Sequence, residues 1–298
     1  MRDSFVRATT ALLDRDPRTA LVLAEISADA FTGAAAAHPD RVLNLGIREQ
    51  LMVGAAGGLA LTGLRPIVHT YAPFLVERPY EQVKLDLTHQ GVGAILVSIG
   101  ASYDASTAGR THLSPADVAL IDTLDPQWTV QVPGHRDEVG PMLDAAAQHD
   151  DPVYIRLSTQ ENHRPHETDG RLKTLRQGGK ATVIAVGPML DPVLEATVGL
   201  DVTVAYANTV RPFDTAGLRN VAHTDIVLVE PYLAGTSARL VAQALTDKPH
   251  RLLALGVNRA ELHRYGTPAD HTAWHGLDPA SLRRSIADFT DPYSGRAR

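Results

Sequence analysis

Cysteine is absent from this sequence of 298 residues, and its absence excludes both a disulfide framework and a thiolate metal site. Long apolar runs are missing as well, because none approaches the roughly 18 residues that a membrane-spanning helix needs. The first residues, Met1-Arg2-Asp3-Ser4, lack the apolar segment of a secretory signal peptide. We therefore expect a cytoplasmic protein with no membrane partner.

Basic clusters are also scarce. The formal net charge is −6 at pH 7, and no run of consecutive basic residues exceeds two. A protein that binds nucleic acid usually carries a basic patch or stripe. The sequence thus predicts small-molecule substrates and no nucleic-acid partner.

The residues that are present have the composition of a globular α/β protein. Hydrophobic residues make up 44% of the chain and charged residues 21%. A chain of this length has room for two domains of ordinary size, each with its own core.

Strand-like apolar runs alternate with helix-like stretches along the first half of the chain. The strand-like runs cover residues 20–24, 65–70, 93–98, 129–132 and 153–157. The helix-like stretches cover residues 49–61, 80–89, 115–122 and 138–148. Apolar strands separated by helices are typical of a parallel sheet that is covered on both faces. We predict that residues 1–158 form one three-layer domain.

A polar segment at residues 159–179 interrupts this alternation, and we interpret it as a linker. A second alternating set follows it. Its strand-like runs cover residues 181–186, 201–205, 225–229 and 251–255, and its helix-like stretches cover residues 190–197, 213–221 and 236–244. This pattern predicts a second, smaller α/β domain at residues 180–298.

Two motifs in the first half carry chemistry. The first is Leu45-Gly46-Ile47-Arg48-Glu49-Gln50, at the start of a helix of small residues. A carboxylate in so apolar a setting is unfavourable to bury unless something pairs with it. The second is His69-Thr70-Tyr71-Ala72-Pro73-Phe74. Together they resemble the pyrimidine-binding half of transketolase and 1-deoxyxylulose-5-phosphate synthase, which are thiamine diphosphate enzymes.

The resemblance implies roles for four residues. In this family the glutamate that matches Glu49 hydrogen-bonds N1′ of the cofactor's aminopyrimidine, and its acid drives the ring into the imino tautomer. The phenylalanine that matches Phe74 stacks on the same ring. Ile47 belongs to the first motif, and Tyr71 corresponds to an aromatic position that lines the pocket. Ordinary packing at a strand end is an alternative role for Tyr71.

The second half resembles the same family. The matching segments are Val210-Arg211-Pro212-Phe213-Asp214, Val229-Glu230 and Gly256-Val257. The Gly-Gly-x-Gly that usually follows the acidic residue is absent. The implied fold class is α/β with two three-layer domains, a pyrimidine-binding thiamine-enzyme domain followed by a smaller transketolase C-terminal-type domain.

The family's motif for diphosphate and metal, Gly-Asp-Gly with a downstream Asn, is missing from the sequence. The resemblance therefore implies a split enzyme, whose N-terminal transketolase-like subunit carries that motif. We expect thiamine diphosphate to bind between the two subunits and Mg²⁺ or Ca²⁺ to be held mainly by the partner. No metal ligand is expected in this chain, and the expected assembly is an α2β2 heterotetramer.

The substrate side departs from the family pattern. His112 matches a family histidine that faces the substrate, and we expect it to be catalytic. Three other polar family positions are occupied by Gly100, Ala108 and Thr159. In transketolase the aspartate at the position of Ala108 reads a sugar hydroxyl, while the other two positions help to hold a sugar phosphate. These replacements favour a small, uncharged or unusual acceptor.

Two arginines remain as candidates for substrate binding. Arg78 follows Phe74 closely, and Arg156 lies at the end of a predicted strand. Each can bind a substrate anion or pair with an acidic neighbour such as Glu77, Glu81 or Glu161, and the sequence leaves both alternatives open.

We therefore expect a subunit of a thiamine diphosphate-dependent, transketolase-like transferase that moves a two-carbon ketol or acyl unit to an aldehyde-like acceptor. One alternative is the beta subunit of a 2-oxo acid decarboxylase or dehydrogenase, and another is a non-catalytic assembly partner. The loop that ends in Thr111-His112 favours the first interpretation over the second. The retained Glu49 and Phe74 argue against the third.

Overall fold

The computed structural model describes residues 1–124 and 128–291. Its strands, labelled in chain order, are β1 (Thr19–Leu23), β2 (Val42–Asn44), β3 (Arg65–Tyr71), β4 (Ile95–Ile99), β5 (Thr129–Gln131), β6 (Val153–Arg156), β7 (Lys173–Arg176), β8 (Ala181–Val186), β9 (Val202–Ala207), β10 (Thr209–Arg211), β11 (Asp225–Leu233) and β12 (Arg251–Val257).

The α-helices are α1 (Arg2–Arg15), α2 (Thr32–Ala37), α3 (Glu49–Leu61), α4 (Tyr80–Gln82), α5 (Asp117–Ile121), α6 (Arg136–Ala147), α7 (Leu190–Ala196), α8 (Thr215–Val221), α9 (Ala238–Ala244), α10 (Pro268–Trp274) and α11 (Pro279–Thr290). Short 3₁₀ segments occur at Ala28–Phe31, Ser106–Ala108, Arg110–His112 and Gly187–Met189. Wider π-helical segments occur at Pro73–Glu77 and Val83–His89.

The first sheet has the strand order β10-β5-β6-β4-β3-β1-β2. Its strands from β1 to β6 run parallel, and β10 joins the edge in the antiparallel sense. The central strands are buried along nearly their whole length, as expected for parallel strands with both faces covered.

Helices cover both faces of this sheet. α1 and α6 lie on one face, where Phe5, Leu13 and Met142 are fully buried. α3 and the segment Val83–His89 lie on the other face, where Met52 belongs to the core. Strand residues alternate between the two clusters, because successive side chains of a strand point to opposite faces.

The second sheet has the order β12-β11-β8-β9-β7, and only its edge strand β7 runs antiparallel to its neighbour. α7 and α11 pack on one face of this sheet, and α8 and α9 contribute core residues on the other. The predicted fold of two α/β domains is thus confirmed, with mixed rather than purely parallel sheets.

Three strands lie outside the pattern predicted from the sequence, namely β2, β7 and β10. β7 falls inside the segment 159–179, so the connection between the domains is shorter than the predicted linker. β10 comes from the second half of the chain but pairs with β5 of the first sheet. Next to it, the amide of Val132 donates to the carbonyl of Asn208 at 2.7 Å.

The domains are also joined by backbone and side-chain contacts elsewhere. The amide of Leu233 donates to the carbonyl of Pro115 at 2.8 Å, and the Ser102 hydroxyl donates to the carbonyl of Pro231 at 2.6 Å. The loop after β4 is therefore held against the second domain.

Among residues 1–124 and 128–291, no helix is long and apolar enough to cross a membrane. Within the same ranges, no three His, Asp or Glu side chains are grouped in a way that could hold a metal ion.

Candidate functional site

The predicted site residues gather where the parallel strands of the first sheet end. Tyr71 is the last residue of β3, and the loop that follows β4 leads to His112. Glu49 begins α3, shortly after β2. The carboxyl edge of a parallel sheet is where α/β proteins commonly bind ligands, because the loops there converge.

Glu49 is buried at the first turn of α3, with 2% of its surface exposed. The turn before the helix passes through Gly46, whose φ of 71° lies in the left-handed region that glycine adopts freely. The helix dipole favours a carboxylate at this end. The carboxylate also accepts a hydrogen bond from Arg78, at 2.5 Å between Nη1 and Oε1.

Phe74 lies in the π-helical segment that follows β3. The guanidinium carbon of Arg78 stands 4.1 Å from the centroid of the Phe74 ring, which is a cation–π contact. Arg78 thus contacts both residues expected to bind the pyrimidine. Its acidic partner is Glu49 itself and not one of the acidic neighbours named from the sequence.

Tyr71 and His112 surround Phe74 edge-on. The ring centroids of Tyr71 and Phe74 are 6.0 Å apart, those of Tyr71 and His112 5.6 Å, and those of Phe74 and His112 5.0 Å. The hydroxyl of Thr111 lies 3.0 Å from Nδ1 of His112. Ile47, two residues before Glu49 in the sequence, is 71% exposed.

The structure explains why glycine occupies position 100. Gly100 has a φ of 71°, and a Cβ atom added there would stand 2.3 Å from Cδ1 of Tyr71. The Tyr71 ring therefore fills the space that a side chain at position 100 would need. A larger side chain at position 100 and the Tyr71 ring in its present position therefore exclude each other.

Arg156 is not at the surface of the site. It is 1% exposed; its Nε donates to Oδ2 of Asp117 at 2.7 Å, and its Nη2 donates to the Ser102 hydroxyl at 2.6 Å. Burial alone disfavours the charged guanidinium, but the carboxylate of Asp117 raises the pKa of Arg156 above its ordinary value. These contacts favour a structural role for Arg156, which supports the loop after β4, over the predicted substrate contact.

A cavity of about 700 Å³ opens beside the aromatic cluster. It is lined by the three replaced family positions, Gly100, Ala108 and Thr159, and by Tyr71. Its wall also includes charged and polar residues that the sequence did not single out: Arg2, Arg7, Ser27, Asp104 and Arg136.

Helix α1 contributes two of the arginines in this wall. Nε of Arg2 donates to the Ser27 hydroxyl at 2.9 Å, and its Nη2 lies 3.3 Å from Asp29. Arg7 donates to the hydroxyl of Ser4 at 2.9 Å, and within the described ranges no carboxylate pairs with it. The sequence signal that could have found them is the apolar spacing of Phe5, Leu12 and Leu13, which places α1 against the sheet.

Ser27 is held by a buried histidine. Nδ1 of His69 lies 2.8 Å from the carbonyl of Val97, so this nitrogen carries the proton. Burial lowers the pKa of His69 to about 4, so the ring is neutral at pH 7. Its Nε2, 3.0 Å from Oγ of Ser27, therefore accepts a hydrogen bond from the serine hydroxyl. The backbone of Ser27 has a φ of 65°.

A second cavity, of about 410 Å³, lies between the loop after β4 and residues 257–275 of the second domain. Several of its charged and polar side chains have partners within the protein. Nε of Arg110 donates to Glu261 at 2.8 Å, and Nε2 of His271 lies 2.5 Å from the carbonyl of Tyr265. Its wall does not include Glu49, Phe74 or His112.

The chemistry of these residues fits one half of thiamine diphosphate. A buried acid next to an aromatic ring suits an aminopyrimidine, which needs a proton donor and a stacking surface. The other half needs a divalent metal with several oxygen ligands. In the described part of the chain, no three His, Asp or Glu side chains are grouped in a way that could hold such a metal.

Comparisons with known proteins agree with this geometry. Residues 1–164 match the family model of the transketolase pyrimidine binding domain, and residues 170–282 match that of the transketolase C-terminal domain. The chain is 52% identical over 295 residues to an uncharacterized 33.6 kDa protein in the fasciation locus of Rhodococcoides fascians; the match covers 97% of this chain and 94% of that protein.

Two further relatives carry enzyme names. The chain is 30% identical to one subunit of the apulose-4-phosphate transketolase of Actinobacillus succinogenes, over 82% of this chain and 83% of the relative. It is 30% identical to the 1-deoxy-D-xylulose-5-phosphate synthase of Alkalilimnicola ehrlichii, over 99% of this chain but only 48% of the relative. The match thus spans most of the first relative and about half of the second.

A solved structure shares the fold over the whole chain. It is a split gene transketolase described as an inactive beta4 tetramer. The TM-score is 0.83 at 24% identity, and the match covers 97% of both chains.

Proposed function

This chain belongs to the transketolase family, and from that premise we propose that it is the C-terminal subunit of a split, thiamine diphosphate-dependent transketolase. The enzyme transfers a two-carbon ketol or acyl unit to an aldehyde-like acceptor. The observation that carries the proposal is the pairing of buried Glu49 with Phe74 through Arg78, at the carboxyl edge of the sheet.

The cofactor, when bound, supplies the carbon nucleophile of the reaction, while the protein positions and tunes it. Glu49 would hold a proton at N1′ of the aminopyrimidine. Phe74 would stack on the ring, with Ile47 and Tyr71 beside it. His112, whose ring contacts both Tyr71 and Phe74, would hydrogen-bond an oxygen of the substrate.

We assign the diphosphate and metal site to a partner subunit, which would hold Mg²⁺ or Ca²⁺. The chain has large exposed apolar side chains next to the site that a partner would cover. Ile47 is 71% exposed and Leu51 51%, and both flank Glu49; Leu61 and Leu85 are exposed as well. Apolar side chains clustered at a surface commonly mark an interface. An α2β2 heterotetramer is the assembly we propose.

The beta4 tetramer described for the structural neighbour as inactive agrees with this division of labour. A chain of this fold that assembles with copies of itself would have the pyrimidine half of the site without the other half. We therefore expect this chain to be inactive until its partner joins it.

The arginines in the wall of the large cavity bear on the charge of the expected acceptor. Arg2 and Arg7 lie in its wall, and neither was anticipated from the sequence. Guanidinium groups bind phosphate and carboxylate by strong, charge-assisted hydrogen bonds. They can replace the anion-binding groups lost at positions 100 and 159. We therefore favour an acceptor that carries an anionic group over the uncharged acceptor expected from the sequence.

The two alternatives make different predictions for one experiment. A beta subunit of a 2-oxo acid dehydrogenase would consume a 2-oxo acid without needing an aldehyde acceptor. A non-catalytic partner would give the same rate whether or not Glu49 is intact. No contact among the described residues favours either alternative over the transketolase reaction.

The test is reconstitution with the partner subunit, thiamine diphosphate and Mg²⁺, followed by a ketol-transfer assay with hydroxypyruvate as donor and a panel of aldehydes. Glu49→Gln keeps the size of the side chain but cannot donate the required proton. Loss of a general acid typically costs about 10²–10⁴ in rate. Glu81→Gln, at an exposed position of α4, is the matched control. A Glu49→Gln rate within twofold of wild type would falsify the assignment.

A further inference from the structure

Asp104 stands in the cavity where three family side chains have been lost. The loop after β4 carries it there, four residues before Ala108. Gly100, Ala108 and Thr159 line the same cavity, and none of their side chains carries a charge. Asp104 is thus an acidic residue beside these three uncharged positions. Asp3 of helix α1 is another acidic residue in the same cavity wall.

Two hydrogen bonds fix the carboxylate of Asp104. Its Oδ2 accepts from the amide of Thr159 at 2.8 Å, and its Oδ1 accepts from the Ser158 hydroxyl at 3.2 Å. Both donors follow β6, the neighbour of β4 in the sheet. The loop that follows β4 is therefore held, through Asp104, to the segment that follows the adjacent strand β6.

The carboxylate has capacity left for a ligand. A carboxylate offers about four lone-pair sites to donors, and the Ser158 hydroxyl, the Thr159 amide and the Thr159 side chain leave about one of them for a ligand. Burial raises the pKa of Asp104, even though the Thr159 amide and the Arg156 charge act in the opposite direction. A carboxyl group that is withdrawn from water gains more from a ligand's hydrogen bond than a solvated one.

We propose that Asp104 is a specificity-determining residue that accepts a hydrogen bond from a hydroxyl group of the acceptor. Asp104 would accept the hydrogen bond from the hydroxyl that alanine at position 108 cannot accept. The acceptor class is then a hydroxylated aldehyde with an anionic group, which contacts Asp104 through its hydroxyl and Arg2 or Arg7 through its anion. This inference rests on the proposed function, because it names the substrate class of the same site.

Asp104 changes what alanine at position 108 implies for specificity. Alanine cannot hydrogen-bond a hydroxyl, so a site without Asp104 would tolerate an acceptor that lacks the neighbouring hydroxyl. A site that hydrogen-bonds a hydroxyl instead rejects an analogue without it, since the buried polar group then stays unpaired.

The test uses two unreactive probes that differ by one hydroxyl: glycerol 3-phosphate and 3-hydroxypropyl phosphate. Their binding to the reconstituted complex is measured by calorimetry. We expect the wild-type complex to bind glycerol 3-phosphate more tightly, by about tenfold or more, since hydrogen bonds to charged groups are among the strong ones.

Asp104→Asn should bring the two affinities within about twofold of each other, because the amide keeps the side chain's shape but loses its charge. Ala108→Asp, added to Asp104→Asn, should restore part of the preference. Asp40→Asn, which removes an exposed carboxylate before β2, should leave it unchanged.

The outcomes separate this inference from the proposed function. Equal binding of the two probes by the wild type overturns it, as does a preference that survives in Asp104→Asn. A loop-holding role for Asp104 alone would weaken both probes equally, which also overturns it. If ketol transfer fails while the probe preference follows Asp104, the proposed reaction falls and the hydroxyl-reading role stands.

Discussion

Arg78 donates to Glu49 across 2.5 Å, and the same guanidinium lies 4.1 Å from the centre of the Phe74 ring. One cation therefore contacts the acid and the aromatic ring that are proposed to bind the pyrimidine. A pyrimidine ring that hydrogen-bonds this oxygen and stacks on this face has to displace Arg78. The side chain can move, because it is 40% exposed.

The first prediction follows from this competition. Arg78→Ala should lower the dissociation constant of thiamine diphosphate for the reconstituted complex by about fivefold, because a partly exposed ion pair is worth roughly 1 kcal/mol. Fluorescence or calorimetric titration with the cofactor measures it. Lys84→Ala, at an exposed position on the helical segment that follows α4, is the control. Weaker cofactor binding in Arg78→Ala would mean that Arg78 supports the site and does not compete for it.

The second prediction concerns the buried pair of Asp117 and Arg156, which are 0% and 1% exposed. Asp117→Ala leaves a buried guanidinium without its carboxylate, and breaking such a pair typically costs about 3–5 kcal/mol in unfolding free energy. Urea unfolding of the full chain measures the loss. Asp144→Ala removes the partner of Arg15 in an exposed pair and should cost less than about 1 kcal/mol. Similar losses in the two variants would contradict the structural role of Arg156.

The third prediction concerns pH and His69. Burial lowers the pKa of this histidine from 6.5 to about 4, so the folded protein prefers the neutral ring. The resulting stabilisation is complete above pH 6.5 and is lost as the pH falls from 6.5 toward 4. At pH 5 the loss is roughly 2 kcal/mol by proton linkage.

Chemical unfolding at pH 7.5 and pH 5 tests this, with His69→Gln as the variant that cannot titrate. We expect wild type to lose about 2 kcal/mol more than His69→Gln between the two pH values. His163→Gln, at an exposed position, should behave as wild type does. Parallel losses in wild type and His69→Gln would show that another group controls the acid sensitivity.

The fourth prediction concerns the anion. Arg7→Gln should raise KM about tenfold for a phosphorylated acceptor, on the strength of one charge-assisted hydrogen bond. It should leave KM for the unphosphorylated analogue almost unchanged, and kcat should change little for both. Arg15→Gln is the control on the same helix, since Arg15 pairs with Asp144. An equal rise in KM for both acceptors would rule out an anion contact at Arg7.

Local patterns in the sequence were sufficient for much of this fold. The strands β1, β3, β4 and β8 are short apolar runs, and α3 coincides with the predicted stretch 49–61. These elements are recognisable because burial on both faces requires a continuous apolar run. Both domains could therefore be predicted, and both match known family models.

Elements with weak local signals were missed. β10 has three residues and β7 four, too few to show a period, and each joins a sheet edge formed by strands far away in sequence. Helix α1 was also missed, although the apolar residues Phe5, Leu12 and Leu13 recur at helical spacing and are buried. α10 and α11, near the end of the described chain, were not predicted either.

The sequence by itself predicted the acid and the ring of the proposed site, because Glu49 and Phe74 stand in motifs of neighbouring residues. It could not determine the partners of charged side chains. Arg78 had three candidate acids and pairs with a fourth, and Arg156 lies in the interior beside Asp117. Coulomb attraction in a folded protein depends on distance and burial, and neither is written in the order of residues.

The tertiary structure alone decided which residues share the large cavity. Arg2 and Arg7 come from the first helix, Asp104 from the loop after β4, and Thr159 from the end of β6. They meet because parallel strands direct their carboxyl ends, and the loops that follow, to the same edge of the sheet. The packing of distant segments, and not the motif by itself, therefore determines which side chains line this cavity.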